Sequence, residues 1–121
     1  MIEWSRLQKS FKYAFQGVGL VFKHEQSFRI QVMVAIAVLL ASVFLRISTF
    51  EFIIVVLLMG SVMILELINS IFERIVDTFK PRIHPAVRDI KDIMAATVLI
   101  SSVVAAILGI IIFFPYFIAL F

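Results

Sequence analysis

The uncharged run FIIVVLLMGSVMIL, residues 52–65, narrows what this chain can fold into more than any other feature. A run like it cannot sit on a water-exposed surface, and two further ones, over residues 30–45 and 93–116, flank it. Hydrophobic residues make up 63% of the 121 residues, where a soluble domain carries roughly half. Mean hydropathy is +1.13. These values exclude a soluble globular domain and indicate an all-α membrane protein, because a helix satisfies its own backbone hydrogen bonds in hydrocarbon. The length allows one domain, residues 1–121. There is no cysteine, so a disulfide framework or a thiolate metal site is excluded. The opening segment MIEWSRLQKSFKYAF interleaves bases with aromatics, unlike a signal peptide, and the chain is read as mature from Met1.

Apolar residues recur at Trp4, Leu7, Phe11, Phe15, Val18 and Phe22, while Lys9, Lys12, Gln16 and Lys23 fall on another face. This spacing predicts an amphipathic helix over about residues 4–23, lying in the headgroup region, packed on other helices, or both. Three spans are expected over about 30–46, 50–74 and 93–117. Ser48 and Glu51 fit a capping box at the start of the second. Crossing the hydrocarbon takes roughly twenty residues. The run 52–65 is shorter, so the second span must take in part of ELINSIFERIVD, residues 66–77. A polar helical turn is expected over residues 85–92, ahead of the third span.

Lys and Arg number five before the first span, one between the first two, and five between the last two. The positive-inside rule then predicts a cytoplasmic N-terminus and second loop, with the first turn and the C-terminus outside.

Glu66, Asn69, Glu73 and Asp77 project within an arc of roughly 80° on one helical face and extend about 16 Å along it. A carboxylate buried in a span is costly unless paired, metal-bound or protonated, which makes it a functional candidate. The plainer reading is structural glue, with Glu66 protonated, Asn69 bonded to a neighbouring helix, and Glu73 and Asp77 in water. Glu25 stands at the entrance of the first span, where an ion pair with Arg29 at i, i+4 is the simplest account. Arg82, His84, Lys91 and Asp92 gather before the third span, and singly each reads as an anchor or a surface loop residue. Together, oxygen ligands, bases on one side and an acid at membrane depth describe phosphoryl transfer: carboxylates suit Mg²⁺ and bases suit phosphates. The four glycines form no P-loop.

The stretch Glu66-Leu-Ile-Asn69-Ser70-Ile-Phe-Glu73-Arg-Ile-Val76-Asp77 resembles the signature of the prokaryotic diacylglycerol kinase family, Glu-x-x-Asn-[Ser/Thr]-x-x-Glu-x-x-Val-Asp. KYAFQG, HEQSFR and Lys91-Asp92 extend the resemblance over nearly the whole chain. It implies a small homotrimeric kinase of the bacterial plasma membrane with active sites shared between subunits. Such an enzyme uses ATP and Mg²⁺ to phosphorylate a lipid alcohol at the cytoplasmic face. The implied partners are the lipid and ATP, with no nucleic acid.

By the same resemblance Glu66 is the catalytic acid or base and Asn69 organises it, while Glu25 and Glu73 hold the metal. Arg6, Tyr13, Glu25, Glu73, Asp77, Arg82, His84, Lys91 and Asp92 fall at or beside nucleotide-contacting positions, and Phe28, Arg29 and Glu66 near the lipid head. Ile71, Phe72 and Met94 depart from the commoner pattern, and Gln31 stands where diacylglycerol-specific members carry a further acid. KYAFQG, HP and IIFFP look more like the undecaprenol kinases. A transporter or ion-conducting oligomer and a non-enzymatic scaffold are the rival classes.

Overall fold

A computed structural model describes residues 1–79 and 85–121. Four helices follow one another: α1 Trp4–His24, α2 Gln26–Leu45, α3 Thr49–Thr78 and α4 Pro85–Ala119. No strand occurs among the described residues. α2, α3 and α4 are each long and apolar enough to cross a membrane. At 1.5 Å per residue α2 is about 30 Å long, close to the hydrocarbon thickness, whereas α3 and α4 reach about 45 and 52 Å and must project beyond it. The turn over 85–92 is therefore no separate element but the first two turns of α4.

The apolar stripe of α1 has no cover within the chain. Trp4, Phe11 and Phe15 are exposed, and Val21 alone is buried. Such a face fits the membrane interface, with the bases on its other side toward phosphate headgroups. The joint to α2 is a single extended residue, Glu25. Arg29 fastens it by donating from one guanidinium nitrogen to the Phe22 and Lys23 carbonyls, each at 2.9 Å. These carbonyls lie at the end of α1, where a positive charge is favoured. Arg29 thus caps α1, and no ion pair with Glu25 forms.

α2 ends on Arg46, whose φ of 53° lies in the left-handed region. Its backbone closes the helix through Arg46 N–H to Val43 and Ile47 N–H to Ser42, each at 3.3 Å. The capping box at the start of α3 is present: Glu51 N–H donates to Ser48 Oγ at 3.2 Å, and Ser48 N–H donates to Glu51 Oε1 at 3.1 Å. Tyr116, near the end of α4, also donates its hydroxyl to Glu51 Oε1. At the other end of the same pair Lys91 Nζ lies 3.6 Å from Asp77 Oδ1. These two ties fix α3 and α4 antiparallel, with Glu66 level with Ser102, each eleven residues from the Asp77–Lys91 contact.

Tyr116→Phe keeps the ring and removes the donor. It is expected to lower the unfolding midpoint in detergent, because a hydrogen bond contributes modestly but measurably to stability. Thermal or denaturant unfolding followed by helicity measures it; an unaltered midpoint would show that the bond holds nothing together.

Candidate active site

Helix α3 carries the site because its length takes one face from the hydrocarbon to the membrane surface. With Thr49 near one boundary of the hydrocarbon, a span of roughly twenty residues ends around Asn69 at the other. Glu66 then lies about 5 Å inside that edge. It is 4% exposed, and Asn69 and Ser70 beside it are 7% and 1% exposed. A buried carboxylate needs donors. α2 supplies two: Ser27 Oγ donates to Glu66 Oε1 at 2.7 Å, and Gln31 Nε2 donates to Glu66 Oε2 at 3.3 Å. Ser27 and Gln31 are one helical turn apart, so both reach the same carboxylate from one face.

One turn further along α3, Asn69 Nδ2 donates to Glu73 Oε1 at 3.2 Å. Glu73 is half-buried. Glu25 at the α1–α2 joint faces both acids. Burial pushes its carboxyl above the ordinary range; the Ser70 hydroxyl pulls the other way, and the charges of Glu73 and Glu66 push it further up. Buried Ser70 Oγ forms no complete hydrogen bond. Glu25 thus lies near enough to Glu73 and Glu66 to feel both.

That proximity bears on the metal that the family resemblance implies. Among the described residues no three carboxylate or imidazole groups converge as a ready cage. Two carboxylates, Glu25 and Glu73, with Asn69 orienting the second, fit a Mg²⁺ that keeps waters and takes its remaining ligands from phosphates. The crowding of Glu25 by Glu73 and Glu66 is what a divalent cation would relieve.

The other sequence-predicted residues are placed as follows. Asp77 and Lys91 meet each other about 16 Å along the axis from Glu66, and Asp92 is exposed next to them. Arg6 is exposed and paired with Glu3 at 2.8 Å. Helix rise holds Arg6 about 28 Å and Tyr13 about 18 Å from Glu25, so a single chain does not bring them to the acids. Phe28 is 1% exposed and packs inside the chain, and Arg29 is spent on the α1 end. Arg82 and His84 lie outside the described residues. Ile71 and Phe72 point outward and leave the stripe's inner side untouched.

Sequence reasoning missed the two donors on Glu66. Ser27 carries no signal by itself, and Gln31 showed only as a departure from the family pattern.

The family described as Prokaryotic diacylglycerol kinase matches residues 12–113. The undecaprenol kinase of Bacillus subtilis is 34% identical over 113 residues, 93% of this chain and 92% of that one. The diacylglycerol kinase of Escherichia coli is 33% identical over 117 residues, 94% and 93% of the two chains. That of Haemophilus influenzae is 33% identical over 111 residues, 91% and 94%. A helical membrane protein with these relatives is a lipid kinase. The chain belongs to the prokaryotic diacylglycerol kinase family.

Glu25→Gln removes one of the crowded charges. In protein free of divalent ions it is expected to raise the unfolding temperature at neutral pH. The difference should shrink as the pH falls and the wild-type carboxyl, its pKa raised, takes up its proton. Thermal unfolding across pH tests this; a lower midpoint for the variant at neutral pH would mean that the charge stabilises the joint.

Proposed function

We propose that the protein transfers the γ-phosphate of ATP to the hydroxyl of a membrane lipid alcohol, undecaprenol or a diacylglycerol, with Mg²⁺, at the cytoplasmic face. The observation that carries this reading is Glu66: a carboxylate at membrane depth, fixed by Ser27 and Gln31, with Glu25 and Glu73 adjacent toward the surface. A transporter needs a membrane acid but gives no reason for Glu25 and Glu73 to be crowded beside it.

In this reading Glu66 accepts the proton of the lipid hydroxyl as its oxygen bonds to the γ-phosphorus. The bond from that phosphorus to the bridging oxygen of the β-phosphate breaks, and ADP leaves. Glu25 and Glu73 would hold Mg²⁺, which would supply neutralisation of the charge that gathers on the transferring group. Asn69 keeps Glu73 turned toward that position. Lys91, Asp92 and Asp77 serve the nucleotide from the rim, and the family resemblance assigns Arg82 and His84 to the same task. Arg6 and Tyr13 join them from α1 of another subunit in a homotrimer. What supports sharing is the distance that α1 keeps between these two residues and the acids of its own chain, together with the wide apolar surface each helix leaves uncovered.

Purified protein in mixed micelles with labelled ATP and Mg²⁺ is expected to yield labelled phospholipid, and Glu66→Gln to lose at least about a hundredfold in kcat, the usual size of a general-base contribution. Its helicity and unfolding temperature should stay near wild type. Near-normal turnover in the variant would remove Glu66 from the role of base.

The orientation has its own test, helped by the absence of native cysteine. A single cysteine in place of Leu120 is expected to react with a membrane-impermeant maleimide in intact cells, and one in place of Lys9 only after lysis. The reverse pattern would put the site on the outer face.

A further inference from the structure

A hydroxyl inside a helix has a default partner, the carbonyl one turn back. Ser10, Ser42, Ser61, Thr78, Thr97 and Ser101 each donate to a carbonyl three or four residues earlier, at 2.7 to 3.0 Å. Ser27 does not. It is the second residue of α2, which begins at Gln26, so its own helix has no earlier turn to offer it a carbonyl. The Phe22 and Lys23 carbonyls, next in line before it, already accept from Arg29. Ser27 Oγ crosses instead to α3 and donates to Glu66 Oε1 at 2.7 Å.

The two oxygens of Glu66 are not held alike. Oε1 receives Ser27 at 2.7 Å, a separation typical of a hydroxyl on a charged oxygen. Oε2 receives Gln31 Nε2 at 3.3 Å, longer than an amide donor ordinarily sits. One oxygen is therefore fixed and the other loosely held. A carboxylate turns easily about the last bond of its side chain, so the Ser27 bond is what gives Oε2 a set direction. Glu66 is 4% exposed, which leaves water little access to replace a lost donor.

We infer that Ser27 is a positioning residue for phosphoryl transfer: it anchors Glu66 Oε1 and thereby presents Oε2 as the oxygen that takes the proton of the acceptor hydroxyl. The inference rests on the lipid-kinase reading and adds to it a residue and an atom. As the hydroxyl oxygen bonds to the γ-phosphorus, its O–H bond breaks and the proton passes to Oε2. The electron pair of the broken bond to the bridging oxygen leaves with ADP. Ser27 keeps its own proton and stays bonded to Oε1, while Gln31 yields its long contact with Oε2. Glu66 returns the proton to water before the next turnover. The rival account is that the Ser27 bond only docks α2 on α3, in which case its loss lowers stability and leaves the chemical step alone.

The test uses purified full-length protein in micelles with labelled ATP, Mg²⁺, and undecaprenol or a diacylglycerol as acceptor. Ser27→Ala is expected to lower kcat about tenfold, the weight of one hydrogen bond to a charged group. KM for ATP and for the acceptor should stay within about twofold, the mark of an interaction that acts in the transition state. Ser27→Thr keeps the donor and is expected to restore most of kcat. Ser61→Ala, which removes a hydroxyl that serves its own helix, should leave kcat unchanged. On a Glu66→Gln background Ser27→Ala is expected to cost nothing further, since residues that act through one group are not additive. Infrared spectra read the bond without turnover. The carboxylate stretches of Glu66, isolated by difference against Glu66→Gln, should shift in Ser27→Ala and return in Ser27→Thr.

A kcat for Ser27→Ala close to wild type overturns the role of Ser27 while the kinase reading stands, and a lowered unfolding temperature beside it assigns the bond to docking alone. A loss that Ser27→Thr does not restore, a further tenfold loss on the Glu66→Gln background, or carboxylate stretches that do not move also overturns it. Should Ser27→Ala fail to fold, Ser27→Cys, similar in shape and a far weaker donor, carries the same expectations. No phosphorylation of either acceptor by wild type refutes the kinase reading, and the role of Ser27 with it.

Discussion

Each polar tie between the spans found among the described residues is accepted by an acid on α3. Glu66 takes Ser27 and Gln31 of α2, Asp77 takes Lys91 of α4, and Glu51 takes Tyr116 of α4. In hydrocarbon, association gains little from apolar burial, because lipid tails are as apolar as leucine. Register has to come from packing and from groups that cannot be left unpaired. An unpaired carboxylate at the depth of Glu66 is costly enough to dictate where α2 docks. One residue therefore serves two ends: the acid proposed to activate the acceptor hydroxyl also sets the height of α2 against α3, and with it the entrance from α1.

The same economy of contacts explains how little of the chain is buried. Among the described residues five apolar side chains are buried, against dozens of large ones exposed. In water such a surface would aggregate; beside lipid it is the ordinary state of a span. What is buried instead is polar: Glu66, Asn69, Ser70 and Ser42. The inside of this protein is the part that differs from its solvent, as the inside of a soluble protein differs from water.

Local features were legible in the sequence, and contacts between distant segments were not. The capping box of Ser48 and Glu51 needs only three residues of spacing and is present. The four helices follow from periodicity and run length, and the polar face of α3 follows from counting residues across the hydrocarbon. Ser27 and Gln31 escaped because their partner lies 39 and 35 residues away. Which turn of α2 faces Glu66 depends on a register that no local pattern encodes. Tyr116 was read as the end of a span for the same reason, although its hydroxyl ties to Glu51. At Arg29 two local solutions competed: a carboxylate four residues back, and the bare carbonyls where α1 stops. The carbonyls won, and that leaves Glu25 with no cation of its own.

The overhang of α3 links the protein to the thickness of its bilayer. Its Thr49 end is tethered at the interface by Arg46 and the Ser48–Glu51 cap, so a thicker or thinner hydrocarbon layer is accommodated by tilt or at the Thr78 end. There each residue of the acidic face corresponds to a definite height, about 1.5 Å apart. In a thick membrane Glu73 is drawn toward the lipid; in a thin one Glu66 rises toward water. The helix behaves as a graduated rod, and the lipid composition around it sets which mark stands at the waterline.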